Sequence, residues 1–235
     1  MKNKKNVFYF RILVIGIFIF IGVFILNKIL RFVFASEYFN IKYIITSQRD
    51  IQLDYLKGRN IFSLDLKAIF ERLTADYPQY KIVRISIQPP NNLVVKSERR
   101  IPLAYVRLYR DFVIDSEGVL FYPLEFIPDL PVIYGLESKV GYVKSGQKIK
   151  INQLNLALQL IQSFKQIEQI RRYKLRRINL ESFGLTFYMD NIEVKVGDNI
   201  QEGLKLLIAI LPRLDLVKVD YIDLRFKEPT VKYEK

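Results

Sequence analysis

The residues most able to do chemistry lie near the end of the chain, in "VDYIDLRFKEPTVKYEK". Asp220 and Asp223 could act as a carboxylate pair, with Arg225 to steady a developing negative charge. The spacing argues against it. In a strand, side chains alternate between faces, so residues three apart point to opposite sides. The other common catalytic groups are missing, since the chain has no His and no Cys. That removes the usual general base near neutral pH, the thiol nucleophile and the thiolate zinc site. A carboxylate or Ser/Lys enzyme remains possible, but the common designs are gone, and no catalytic residue, metal, cofactor or small-molecule substrate is singled out.

Two other readings of this segment stand side by side. Asp223 and Arg225 share a face and can form an ion pair that orders the strand, worth little where exposed. Alternatively, the strand is an edge whose unpaired N–H and C=O groups take up a partner. Tyr221, Asp223 and Arg225 would then present one side, and Ile222, Leu224 and Phe226 the other. Thr230 and Val231 are read as a continuation of the same strand.

The elements that must position this segment follow from the rest of the chain. It has 235 residues, 37 of them Lys or Arg and 24 Asp or Glu, for a net charge of +13. Six of those basic residues fall within residues 1–35, which hold no acid. Nucleic-acid binding is the obvious reading of a basic chain, but neither an RNA-binding signature nor zinc-finger spacing is present. No nucleic-acid partner is expected. "RRYKLRR" at 171–177 is read as a solvated basic face, or as a surface for acidic partner residues or anionic lipid.

Residues 12–26 read "ILVIGIFIFIGVFIL", without a polar side chain. From Val7 to Leu26 a helix rises about 30 Å, one hydrocarbon core. Arg11 is close enough to one end to snorkel. A cleaved signal peptide is the competing reading, with "VFA" at 33–35 as the cleavage site. The nine residues between Leu26 and that site, Lys28 and Arg31 among them, favour an uncleaved anchor. Lys2, Lys4 and Lys5 then stay inside and the bulk of the chain lies across the membrane.

Beyond the anchor, "FNIKYIIT" (39–46) reads as a strand and "RDIQLDYLKG" (49–58) as a short helix. Leu66, Ile69, Phe70 and Leu73 mark an amphipathic helix with Ser63 before it as a cap. "KIVRISIQ" and "LVVKSER" flank Pro89-Pro90-Asn91-Asn92 as a hairpin. Later, "FVID-SEG-VLFY" reads as a tight hairpin with Gly118 free to take positive φ. "LPVIYG" (130–135) is a crossing loop or short strand. Helices are expected from Asn152, as its cap, and from about Ile200 to near Pro212, with strands at 175–180, 184–189 and 192–196. Asp115, Glu117 and Gly118 read as turn chemistry. Arg99 and Arg100 suit an ion pair better than a ligand site.

These segments, in this order, resemble the FtsQ/DivIB family of bacterial cell-division proteins. The resemblance rests on "LKGRNIFSLDLKAIFERL" after the first strand, and on the "P-N-x-L" hairpin followed by Glu98, Arg99/Arg100, Pro102 and Ala104. It rests also on "FVIDSEGVLF", "LPVIYG" and the closing "YIDLRF". It implies an α+β chain: a cytoplasmic tail (1–6), a transmembrane helix (7–30), a POTRA domain of β-α-α-β-β order (37–103), and a mixed α/β "β domain" (104–235) that ends in an edge strand. The implied function is a non-enzymatic divisome scaffold in the inner membrane at the septum. The implied partners are FtsB and FtsL, which link it to septal peptidoglycan synthesis. By motif match Arg225 and Phe226 fall at the family's partner-binding positions, and Tyr221, Asp223, Thr230 and Val231, on the same strand and its expected continuation, complete the partner-binding set read from the sequence. The alternatives are a membrane-anchored basic surface-binding module and another POTRA-type transport-associated protein.

Overall fold

An unbroken helix, α1 (Lys2–Ala35), opens the chain. The computed structural model describes the backbone of residues 2–180 and 184–233, and the side chains of 13–180 and 184–233. The side chain of Arg11 lies outside the described residues. From Leu13 to Ala35 the helix is long and apolar enough to cross a membrane, and none of it is buried in protein. Those 23 residues rise about 35 Å, slightly more than a hydrocarbon core. The helix outruns the expected end at residue 30 by more than a turn. It stops where Ser36 turns extended, its hydroxyl accepting the Tyr38 N–H at the start of a 3-10 turn, Glu37–Phe39.

The chain divides into two units, one of residues 1–72 and 82–98, the other of 73–81 and 99–235. The first is built on β1 (Tyr43–Thr46), α2 (Leu66–Asp76), β2 (Tyr80–Gln88) and β3 (Asn92–Arg99). Its sheet has the order β1-β3-β2, and β1 runs parallel to β3. The helix expected at 49–58 is only a 3-10 turn, Asp54–Leu56, with a second at Ile61–Ser63. Ile51 and Leu53 are both buried, and that two-residue spacing belongs to extended chain rather than to a helix. Asp65, not Ser63, caps α2, accepting the Ala68 N–H at 3.0 Å. The hairpin between β2 and β3 forms as its Pro-Pro-Asn-Asn turn predicts.

The second unit contains β4 (Ala104–Arg107), β5 (Asp111–Ile114), β6 (Leu120–Phe121), β7 (Val132–Tyr134), α3 (Asn152–Gln166) and β8 (Leu175–Leu180). It continues with β9 (Leu185–Met189), β10 (Ile192–Val196), α4 (Ile200–Ile210), β11 (Val219–Leu224) and β12 (Thr230–Tyr233). These strands form one nine-stranded sheet, in the order β12-β11-β10-β9-β8-β7-β4-β5-β6. "LPVIYG" is thus an interior strand, parallel to both neighbours. Parallel pairs need a crossover, and the two long helices supply them: α3 between β7 and β8, α4 between β10 and β11.

Asn152 lies inside the first turn of α3 and does not cap it, whereas Asn199 does cap α4. Asn199 Oδ1 accepts the Glu202 N–H, and its amide donates back to Glu202 Oε2 at 3.0 Å. Both helices cover one face of the sheet. Ile178, Phe187, Val194 and Ile222 stand opposite one another across β8 to β11 as a buried row on that face. Phe164 of α3 meets Phe187 edge-on, and Gly203 of α4 lies against Val196. This row fixes which side chains of β11 turn away from the helices.

Candidate partner interface

The next position on each strand points to the other face. Arg177, Tyr188, Glu193, Tyr221 and Lys232 are register partners in succession across β8, β9, β10, β11 and β12. Their contacts run the same way. Arg177 stacks on Tyr188, 4.1 Å from the ring centre, and the Tyr188 hydroxyl donates to Glu193 at 2.8 Å. Lys195 pairs with Glu193 at 3.2 Å and lies over Tyr221. Lys232 also lies over Tyr221 and bonds Asp220 at 2.6 Å. Alternating cations and rings give this face weak attractions that survive at a half-exposed surface.

The adjacent row on the same face is Asn179, Thr186, Lys195, Asp223 and Thr230. Asp223 is 8% exposed and well supplied with donors. The guanidinium of Arg225 reaches it through Nε at 3.0 Å and Nη2 at 2.6 Å, and the Arg225 N–H donates to it at 3.1 Å. Asp223 therefore orders the exit from β11 as well as pairing with Arg225. The same-face ion pair expected from the sequence is present. Asp220 and Asp223 each have a different cation as partner and do not converge. Among the described residues, no group of three or more acidic side chains is placed to hold a metal.

The Arg225 guanidinium, with some help from its N–H and from Lys195, holds the Asp223 carboxyl below its ordinary pKa despite burial. A carboxylate lowered in the folded state stabilises the protein above its unfolded pKa, about 4, and that contribution is lost as pH falls through the lower folded value. Urea unfolding of the wild type should therefore lose stability more steeply below pH ~4 than Asp223→Asn does. Parallel pH profiles for the two proteins would contradict this role.

Thr230 and Val231 do not continue β11. Residues 225–229 bend the chain back, and Thr230–Tyr233 returns as β12, antiparallel to β11. Pro229 is fixed in φ and has no N–H, so it fits the bend and not a central strand. β11 is thus covered on both sides, and the sheet ends in β12. Of the six residues singled out from sequence, Tyr221, Asp223, Arg225 and Thr230 gather on or beside the face away from the helices. Phe226 stands in the bend, 66% exposed, with the Arg225 guanidinium over its ring. Val231 is opposite Ile222 and packs on the core, so it can offer a partner only its backbone. Tyr188, Glu193, Lys195 and Lys232 were not picked out from the sequence, and Arg177 only as part of the basic run at 171–177, because only strand register brings them into line. Of the basic run at 171–177, Lys174 pairs with Asp129 and Arg172 lies over Tyr173.

The model of the family described as "Cell division protein FtsQ/DivIB, C-terminal" matches residues 104–225, from β4 to just past β11. A cell division protein FtsQ of Syntrophotalea carbinolica is 29% identical over 209 residues, covering 82% of this chain and 73% of that protein. A cell division protein FtsQ of Myxococcus fulvus is 27% identical over 150 residues, 62% of this chain and 51% of that protein. A cell division protein DivIB of Clostridium botulinum is 26% identical over 230 residues, 90% of this chain and 88% of that protein. With more than half of its length matched by the family model, behind a helix long and apolar enough to cross a membrane, the chain belongs to the FtsQ/DivIB family of cell-division proteins.

Proposed function

We propose that this protein is a non-catalytic scaffold of the division machinery that binds FtsB- and FtsL-type partners and links them to septal peptidoglycan synthesis. It sits in the cytoplasmic membrane at the septum, with the basic tail inside and both folded units outside. Residues 37–103 serve as the POTRA domain and 104–235 as the β domain. The partner adds a strand along the outer edge of β12. The observation that carries this reading is the fold-back itself. It leaves β12 at the rim of a nine-stranded sheet, with Phe226 exposed at the bend that leads into it.

Strand addition draws affinity from main-chain hydrogen bonds and specificity from alternate side chains. Here Thr230 and Lys232 supply side chains on the face away from the helices, and Phe226 supplies an aromatic anchor. Arg225 and Asp223 hold the bend before the partner arrives, which lowers the ordering cost of binding. In the full-length protein, Phe226→Asp should weaken binding of the extracytoplasmic segment of the same organism's FtsB by roughly tenfold or more, as loss of an anchoring aromatic does. Equal binding by wild type and a folded Phe226→Asp variant would place the contact elsewhere.

A further inference from the structure

We infer that the first unit seats itself on the lipid bilayer through an aromatic cluster that the folded chain adds to the end of α1. The cluster is built by Asn60. Its amide nitrogen donates to the carbonyls of Val33 and Phe34, at 2.8 and 3.2 Å, in the last turn of α1. Those carbonyls have no partner within the helix, so a residue 26 and 27 positions away acts as their cap. The Asn60 Oδ1 accepts the Phe62 N–H at 2.9 Å and sets the turn Ile61–Ser63 against the helix end.

Five rings meet there. Phe62 is edge-on to Phe34 and to Phe39, with centroids 6.4 and 5.2 Å apart. Phe39 is edge-on to Phe32 and Tyr38 in turn. Phe32, Phe34, Tyr38 and Phe62 are all 44% or more exposed. A contiguous aromatic patch of this kind is unfavourable in water and marks a contact surface. Its place identifies the occupant. The patch is continuous with the membrane-spanning stretch Leu13–Ala35, which is about 35 Å long against a hydrocarbon core of about 30 Å. The last turn of α1 therefore reaches the interfacial zone, where aromatic rings are favoured and where Lys28 and Arg31 can meet lipid phosphates. Phe62 is the informative member, because it belongs to the folded unit and not to the anchor. This contact requires α1 to span the bilayer but does not depend on strand addition at β12.

The chain has no Trp, so a single introduced Trp reports one position. Full-length Phe62→Trp would be reconstituted in vesicles of phosphatidylethanolamine and phosphatidylglycerol, with and without lipids brominated in their acyl chains. Blue-shifted emission is expected, with quenching by brominated lipid several-fold stronger than for Val217→Trp, an exposed site in the second unit. Adding Asn60→Ala should shift the emission to the red and reduce that quenching, as the turn leaves the helix end. Red, unquenched emission from Phe62→Trp would overturn the inference. So would quenching no stronger than at position 217. Blue-shifted but unquenched emission would also overturn it, and would assign the cluster to a protein contact.

Discussion

Replacing Arg100 by methionine is expected to destabilise the second unit by about 3 kcal/mol or more, the usual result of stripping the partner from a buried charge. The Arg100 side chain is 10% exposed and that of Asp115 6%. Nη1 of Arg100 donates to Asp115 Oδ2 at 2.5 Å and to Glu117 Oε2 at 3.0 Å. The other Asp115 oxygen accepts the N–H groups of Glu117 and Val119, both at 2.9 Å. Asp115 therefore shapes the β5–β6 turn, where Gly118 takes a φ of +80°. Methionine keeps most of the apolar bulk but leaves the carboxylate buried without its cation. The Nε of Arg100 is buried with no hydrogen-bond partner among the described residues, so the pair is already incompletely satisfied. Adding Asp115→Asn to Arg100→Met should then recover part of the loss, since Asn retains an acceptor for the turn without the charge. Denaturant unfolding of the three variants decides this. A loss under about 1 kcal/mol for Arg100→Met would mean that the pair behaves as an exposed one.

A second large effect is expected at Gly184, which leads into β9 with a φ of +76°. A Cβ there would lie 2.0 Å from the Val196 carbonyl oxygen, across the β9–β10 pair. Alanine pays the left-handed backbone cost, about 1–2 kcal/mol, and must also push two core strands apart. Overpacking of that kind adds roughly 1–3 kcal/mol, so Gly184→Ala should lose about 2–5 kcal/mol in all. Gly141 is the internal control, because a Cβ there meets nothing within 4 Å and its φ is unstrained. Gly141→Ala should stay within about 0.5 kcal/mol of wild type. Similar losses at the two sites would show that the β9–β10 approach is looser than described.

The sequence made much of this architecture legible for identifiable reasons. Asp190 and Asn191 join β9 to β10 as the turn chemistry predicts, with Asp190 at a φ of +51°. Leu204, Leu207 and Leu211 show the helical period and are all buried. An ion pair at Arg99 or Arg100 and a turn at Asp115–Gly118 were also readable, but that Arg100 is the member used and Asp115 its partner came only with the fold. Three features were not readable. The 49–58 stretch holds apolar residues at spacings that suit a helix and an extended chain alike, and the packing of Ile51 and Leu53 settles it. At the C-terminus, "RFKEPT" gives a bend signal only through Pro229, and no local pattern says whether the chain then continues or returns. The cation and aromatic ladder was hidden for a different reason: its members lie on five strands, and only register aligns them.

The most direct test of strand addition is amide hydrogen exchange across β12 in the full-length protein, with and without the FtsB-type segment. In the free protein the outward amides of Thr230–Tyr233 should exchange readily, as edge groups do. On binding, alternate amides of that strand should become protected while the second unit otherwise changes little. Unchanged exchange at β12, with new protection at the β6 edge or in the first unit, would contradict strand addition at the terminal strand.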